Sequence, residues 1–288
     1  MATAKKQTGD IMVLYHAECP DGLGAAWVAR KKFGSRARYI PVYHQTPPPD
    51  GLEGKKVYTL DFAYPEPITK ALLKTVASLT IIDHHISNKD VVKMASDNLF
   101  SLDHSGAVLA WRYFYPGKKV PKLLLHIEDT DLWWFRIKHT RELVELVQSY
   151  PLELPAFDKL VKGCERKETY KQYVLEGKAI VRFSEREVAK AVRNAEEITF
   201  EGYRCLMANS AAQSSYIGHA LVKKLPPIGL IWSRRGTKIV VSLRSDGTVD
   251  VAKIAQKYGG GGHQATAGFS FEQEDFPLFQ RLTKGAQD

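Results

Sequence analysis

Aspartates and histidines follow several short apolar runs in the first half of the chain. His16 follows IMVLY, Asp61 follows VYTL, and the triplet Asp83-His84-His85 follows LTII. Carboxylate and imidazole groups together are a usual ligand set for a divalent ion such as Mn²⁺ or Zn²⁺. Two such ions about 3.5–4 Å apart clamp a phosphoryl group and activate water. These residues therefore predict a two-metal hydrolytic site.

The Asp-His-His triplet alone leaves a second interpretation open, in which Asp83 caps a turn and both histidines face solvent. Asp21 and Asp129 favour the metal interpretation, because both lie at predicted strand ends or in adjoining loops. Carboxylates that converge without a cation repel one another and have raised pKa values. A bound pair of ions would remove that cost.

The elements that must position these residues alternate between strand-like and helix-like patterns. Strands are predicted at 11–15, 38–43, 55–62 and 79–85, with helix-like stretches after the first and the third. This alternation predicts an α/β fold with a parallel sheet and crossover helices. In such sheets, ligands bind at the carboxyl ends of the strands.

A charged segment of helical period divides the chain. We expect a metal-binding domain over 10–155, a helical connector over 156–195 and a smaller α/β domain with a mixed sheet over 196–288. The last of these contains strand-like patterns and one helix-like pattern that ends in a run of four glycines. No internal repeat is apparent.

Composition excludes several classes of protein. The 288 residues are 44% hydrophobic and 25% charged, which is typical of a folded globular chain rather than a disordered or collagenous one. No apolar run approaches the roughly 18 residues of a membrane span, and the polar start resembles no secretory signal. Three cysteines without a CxxC pair indicate the reducing cytoplasm. The net charge of +9 fits either a polyanionic partner or a generally basic protein.

The glycine run carries its own chemistry. Gly260, Gly261 and Gly262 precede His263, and successive glycines let backbone N–H groups approach a phosphate closely. His263 could donate to the same anion, and Arg244 could add a bidentate contact. The alternative is a flexible linker, which the histidine and the small residues that follow it disfavour.

Taken together and in order, these pieces resemble the DHH phosphoesterase superfamily, of the type with a C-terminal DHH-associated domain. The resemblance runs from about residue 11 to residue 270. The matching pieces are YHAECPDGLGAAW (15–27), TLDF with Asp61, IIDHH (81–85), Asp129-Thr130, VSLRS (241–245) and GGGGHQATAG (259–268).

The resemblance implies a role for each matching residue. Asp61 would bridge two Mn²⁺ ions, with Mg²⁺ or another divalent ion as the alternative. The further metal ligands would be His16, Asp21, His84 and Asp129. His85 would face the scissile phosphate, and Asp83 would orient the histidines. The substrate phosphate would be held by Arg244, Gly260, Gly261, Gly262 and His263.

One position departs from the family pattern. Many members carry Asp-x-Asp in the first motif, whereas this chain has Cys19 in the earlier slot. A thiolate suits Mn²⁺ poorly, so Cys19 is either a bystander, with Glu18 or water in its place, or a ligand. The first ion would then be held more loosely than the second. Asp131 is either a further polar contact or a turn residue.

The resemblance implies a phosphodiesterase that hydrolyses short oligonucleotides or dinucleotides. The alternatives are a phosphatase or exopolyphosphatase for small phosphorylated molecules, and an inert module that binds nucleotides or nucleic acid. No membrane partner is expected. The oligomeric state stays open, with a homo-oligomer among the alternatives.

Overall fold

The structure is a computed structural model that describes residues 10–43 and 45–275. The chain divides between Val181 and Arg182 into two compact units. The predicted α/β class is confirmed, because the first unit contains a sheet of five parallel strands and the second a mixed sheet of six. The last part of the predicted third domain, residues 276–288, lies outside the described residues.

The first sheet is parallel throughout and has the order β2-β1-β3-β4-β5. Its strands are β1 (Ile11–His16), β2 (Ala37–Val42), β3 (Lys56–Leu60), β4 (Ser78–Asp83) and β5 (Asp97–Phe100). The strand order reverses at β1, which has β2 on one side and β3 on the other. Such a switch point opens a crevice at the carboxyl ends of the strands.

Helices cover both faces of this sheet. They are α1 (Pro20–Phe33), α2 (Glu66–Thr75), α3 (Lys89–Val92), α4 (Gly106–Phe114), α5 (Lys122–Asp131), α6 (Thr140–Ser149) and α7 (Leu154–Cys164). On β1, Val13 packs into the core with α1, α4 and α5. Met12 and Leu14 pack into a second core with α2 and α3. A strand buried on both faces reads as an unbroken apolar run, which is why IMVLY was recognisable.

The predicted connector consists of two helices rather than one. Helix α7 ends at Cys164, and α8 (Lys167–Arg193) begins three residues later. Near this break the Tyr173 ring closes on Gly163, where a Cβ would lie 2.5 Å from the ring. A side chain at residue 163 would collide with Tyr173, so the glycine lets α8 pack against α7. The boundary between the two units lies within α8.

The second unit has the strand order β10-β11-β9-β8-β7-β6. Its elements are β6 (Glu196–Phe200), β7 (Tyr203–Asn209), α9 (Ser214–Lys224), β8 (Ile228–Arg235), β9 (Lys238–Ser245), α10 (Val251–Lys257), β10 (Gly261–His263) and β11 (Thr266–Glu272). Only β7 and β8 pair in parallel, and every other neighbouring pair is antiparallel. Across residues 10–43 and 45–275, no helix is both long enough and apolar enough to cross a bilayer.

Helix α5 is held by its buried leucines, and we predict that their packing sets the stability of the first unit. Leu124 is fully buried, whereas Leu102 is 47% exposed. Leu124→Ala should lower the free energy of unfolding by about 2–5 kcal/mol, because it leaves a cavity between α5 and α1. Leu102→Ala, the matched control, should change it by less than about 0.5 kcal/mol. Denaturant unfolding measures both, and equal effects would contradict this account of the core.

Candidate metal centre

Asp61 stands directly after β3 and has a left-handed backbone, with φ of +63°. Its N–H donates to the Ile82 carbonyl at 2.9 Å, which fixes the residue against β4. A non-glycine residue in this region costs of order 1–3 kcal/mol and persists where the surroundings enforce it. The turn directs the Asp61 carboxylate into the protein, where the side chain is 2% exposed.

The carboxylate of Asp61 lies between two imidazoles. Its Oδ2 is 3.3 Å from His16 Nδ1, and its Oδ1 is 3.2 Å from His84 Nε2. His16 ends β1, and His84 follows β4, so the three residues come from three neighbouring strands. Asp61 is therefore placed between two groups of potential ligands.

The first group contains His16, Cys19 and Asp61, whose ligand atoms all lie within 4.8 Å of one another. Glu18 has a left-handed backbone and an exposed side chain, while Cys19 is turned toward His16. Gly22 permits this arrangement, because a Cβ there would lie 2.2 Å from the His16 carbonyl oxygen. The cysteine, not Glu18, stands with the ligands in this structure.

The second group contains Asp21, His84 and Asp131. Besides Asp61, His84 Nε2 lies 3.4 Å from Asp131 Oδ2 and 4.0 Å from Asp21 Oδ2. Asp21 is 1% exposed, and its Oδ2 has no hydrogen-bond partner. A buried carboxylate oxygen without a donor is costly, and a cation at this point would remove the cost.

Asp83 holds the two histidines from behind. Its Oδ1 accepts hydrogen bonds from the backbone N–H of His84 at 2.7 Å and of His85 at 3.2 Å, and it lies 2.7 Å from His85 Nδ1. Its Oδ2 accepts from Asn88 Nδ2 at 2.6 Å. Asn88, which follows the triplet in a short turn, is not among the site residues predicted from sequence. Asp83 thus fixes the backbone of His84 and the ring of His85, and it also lies with Asp61, His84 and His85 in a group of potential ligands.

The pKa values follow from this crowding. Burial raises the pKa of Asp21 well above its usual value, and the charges of Asp61 and Asp131 raise it further. Burial alone would lower the pKa of His84, but the neighbouring carboxylates raise it to about 11. His84 is therefore protonated at neutral pH when no cation is present, and it offsets one of the three negative charges around it.

The donor set suits divalent cations. Carboxylates and imidazoles suit hard and borderline ions, and the buried, unpartnered Asp21 Oδ2 is oriented to receive one. Gly106 keeps the space open, because a Cβ there would lie 2.6 Å from Asp61 Cβ and 2.9 Å from Asp21 Oδ2. The other oxygen of Asp21 accepts a hydrogen bond from the Ala107 N–H at 3.1 Å, which ties α1 to the start of α4.

In the second unit, Arg244, Thr266 and His263 occupy one row across β9, β11 and β10. Arg244 Nη2 donates to Ser215 Oγ at 2.7 Å, and Nη1 donates to the Leu243 carbonyl at 2.8 Å. Burial lowers the pKa of Arg244 to about 10, so the guanidinium stays charged at neutral pH. The structure thus brings the predicted Arg244 and His263 together on one sheet.

The glycine run is folded rather than open. Gly261, Gly262 and His263 form β10, which pairs with β11, so the linker interpretation does not hold. A Cβ on Gly260 would lie 2.1 Å from the Gly268 carbonyl oxygen, and Gly262 has φ of +144°. At these two positions the need for glycine comes first from the close approach of β11.

Several known proteins are similar to this chain in sequence or in fold. Residues 209–286 match the family model of the DHHA1 domain. An uncharacterised protein of Acanthamoeba polyphaga mimivirus is 30% identical over 322 residues, which cover 96% of this chain and 74% of that protein. The solved DHH domain of PF0399, a member of the s1p family of ribosomal proteins, superposes with a TM-score of 0.61 at 14% identity, covering 94% of this chain and 85% of that one.

The chain shares the fold of that DHH domain. Its C-terminal part is a DHHA1 domain. A structure of the exonuclease RecJ bound to manganese is also similar, with a TM-score of 0.48 and 14% identity over 94% of this chain and 88% of that one.

The later Asp-Thr element of this chain differs from the sequence-based expectation. Asp129 was expected to be a metal ligand, but its Oδ1 accepts from the Arg136 N–H at 2.8 Å, and its Oδ2 accepts from the Ile137 N–H at 3.0 Å and from Thr140 Oγ1 at 2.6 Å. These bonds engage both oxygens away from the cluster. The carboxylate beside His84 is that of Asp131 instead.

A signal for Asp131 was present in the sequence. Helix α5 buries Leu124 and Ile127, and Asp131 follows them by seven and four residues. Those spacings place all three on one face of the helix. Asp129 is the more deeply buried of the two aspartates but lies on another face of the helix.

We predict that Asp129 and Asp131 differ sharply in their contribution to stability. Asp129→Asn should lower the free energy of unfolding by about 1.5–3 kcal/mol, because an amide cannot accept all three hydrogen bonds of the carboxylate. Asp131→Asn, measured without divalent cations, should leave stability unchanged or raise it, because it removes a crowded negative charge. Thermal unfolding in the presence of a chelator compares the two. A larger loss with Asp131→Asn would reverse the assignment.

Proposed function

We propose that this protein is a metal-dependent phosphodiesterase that hydrolyses short oligonucleotides or dinucleotides. The observation that carries the proposal is the placement of Asp61 between His16 and His84, within a buried cluster of carboxylates. The DHHA1 match and the fold shared with a solved DHH domain support a phosphoesterase. The DHHA1 domain adds the basic residues Arg244 and His263.

Asp61 is proposed to be shared by two cations, with His16 on one side and Asp21, His84 and Asp131 on the other. Bound divalent ions would polarise the phosphoryl oxygens and lower the pKa of the attacking water. The carboxylate-rich second group suits Mn²⁺ or Mg²⁺. Relative to the expected ligands, Asp131 takes the role that sequence analysis gave to Asp129.

His85 is proposed to contact the scissile phosphate. Its Nδ1 lies 2.7 Å from the carboxylate of Asp83, which fixes the ring, and Nε2 is the atom proposed to contact the phosphate. The side chain of His85 is 18% exposed, whereas that of His84 is 1% exposed. The more accessible histidine is thus the one positioned to meet a substrate.

Arg244 and His263 are proposed to bind a second phosphate or the terminal group of the substrate. Two of the five N–H donors of Arg244 are used on Ser215 and Leu243, and these bonds orient the guanidinium plane. A charged, oriented guanidinium suits bidentate contact with phosphate. This second contact favours a substrate with more than one phosphate or nucleotide over a small monoester.

A panel of substrates tests the proposed activity. Purified protein with Mn²⁺ should hydrolyse dinucleotides and short oligonucleotides faster than nucleoside monophosphates or polyphosphate. Faster release of phosphate from small monoesters or polyphosphate would replace the proposal with a phosphatase or exopolyphosphatase. Tight binding of oligonucleotides without any hydrolysis in Mn²⁺ would indicate a binding module.

We predict that substitutions of Asp61 and of His85 differ in their effects on metal binding and on turnover. Asp61→Asn should lose both, because one carboxylate serves both groups of ligands. His85→Ala should keep its metal content and lose turnover by about 10²–10³-fold, the usual effect of removing one donor to a developing charge. The exposed Asp90→Asn is the matched control. Elemental analysis beside a phosphodiesterase assay checks the pair, and near-normal turnover in Asp61→Asn would refute the shared carboxylate.

We predict that Arg244 acts on the substrate and not on the metals. Arg244→Gln should slow dinucleotide turnover by about 10- to 150-fold, because a charge-assisted contact is worth about 1.5–3 kcal/mol. Metal content should be unchanged. An aryl phosphodiester without the second group serves as the comparison substrate and should be slowed much less. Equal slowing of both substrates would place Arg244 at the scissile phosphate itself.

A further inference from the structure

We infer that the group formed by His16, Cys19 and Asp61 binds a borderline cation such as Zn²⁺ through the Cys19 thiolate, so that the centre holds two different metals. The inference rests on the proposed function, because it takes the two-metal centre as its starting point. It goes further by assigning one residue, Cys19, the choice of metal at one of the two positions.

Cys19 occupies a helix-capping position, but its side chain does not cap the helix. Cys19 is the N-cap residue of α1, with φ of −122° and ψ of 130°, but its side chain makes no capping hydrogen bond. Serine, threonine, aspartate and asparagine are the usual caps, because their oxygens accept from the first N–H groups of the helix. A thiol at this position gives up that contribution and lies beside His16 instead.

The surroundings of Cys19 form a three-donor site. Its sulfur, a ring nitrogen of His16 and a carboxylate oxygen of Asp61 lie within 4.8 Å of one another. Two tetrahedral ligands of one Zn²⁺ ion, bound at about 2.0–2.3 Å, lie about 3.3–3.8 Å apart. The three donors are therefore close enough to converge on one ion after side-chain rotation.

The two groups differ in the softness of their donors. The first offers sulfur, nitrogen and oxygen, which is a set that Zn²⁺ and Co²⁺ accept readily. The second offers the oxygens of Asp21 and Asp131 with the nitrogen of His84, and hard oxygen ligands suit Mn²⁺ or Mg²⁺. Asp61 supplies one oxygen to each side. A thiolate on one side only thus makes the two positions unequal in metal preference.

Titration of the metal-free protein with Co²⁺ tests the thiolate directly. A Co²⁺ ion bound by a thiolate absorbs in the near ultraviolet through sulfur-to-metal charge transfer. The wild-type protein should develop this absorption and saturate it with one ion per chain. Cys19→Ser should bind Co²⁺ without the absorption, while Cys164→Ala, which removes a buried thiol in α7, should retain it.

Competition between Zn²⁺ and Mn²⁺ gives the second measurement. Loss of an outer partner of a metal ligand typically lowers metal affinity by about 10- to 100-fold. Replacement of the ligand itself in Cys19→Asp should lower the preference for Zn²⁺ over Mn²⁺ by at least about tenfold. The metals are counted by elemental analysis after dialysis against both ions with Mn²⁺ in excess. Circular dichroism confirms that each variant is folded.

The outcomes separate this inference from the proposed function. Co²⁺ bound without thiolate absorption, or a preference for Zn²⁺ that Cys19→Asp leaves unchanged, overturns the inference while phosphodiesterase activity with Mn²⁺ still stands. Thiolate absorption in a protein that hydrolyses no phosphodiester supports the metal site and overturns the activity. A chain that binds no divalent ion overturns both.

Discussion

The first unit depends on one electrostatic constraint, the crowding of three carboxylates around a single buried imidazole. Asp21 and Asp61 are almost completely withdrawn from water, and Asp131 lies within 3.4 Å of the same His84 ring nitrogen. At such separations, and away from bulk water, like charges repel strongly. One protonated imidazole offsets only one charge, and burial together with the remaining repulsion raises the pKa values of Asp21 and Asp131. A bound cation would remove that cost.

The backbone adopts restricted conformations that bring these carboxylates together. Asp61 keeps a left-handed backbone, and both Gly22 and Gly106 leave room that any side chain would fill. The parallel sheet brings the ends of β1, β3 and β4 to one edge, at the point where the strand order reverses. Asp21 is added from the first turn of α1. Each of these features is costly or neutral for stability alone, and together they are consistent with a site for cations.

Much of this organisation could be predicted from sequence, because strands buried on both faces are unbroken apolar runs. All four strands predicted in the first half are present in the structure, and so is the convergence of His16, Asp61 and His84. The segment 198–208 lies in the hairpin of β6 and β7, which turns at Glu201-Gly202. Helices α6 and α9 were not predicted. Whether a carboxylate faces a cluster depends on helix rotation, which a short motif does not encode.

Asp129 and Asp131 show that the residue matched by a motif can differ from the residue that lies with the potential ligands. The carboxylate of Asp129 holds the chain from Arg136 to Thr140, and its carbonyl accepts from the Trp134 N–H at 2.8 Å. The segment 132–140, which begins directly after Asp131, contains left-handed residues at Trp133 and at His139. It therefore needs strong local hydrogen bonds to hold its backbone conformation. Asp129, whose carboxylate oxygens are both engaged in hydrogen bonds, thus fixes the backbone on which the neighbouring carboxylate reaches His84. A motif can match because of this anchoring role as much as because of ligation.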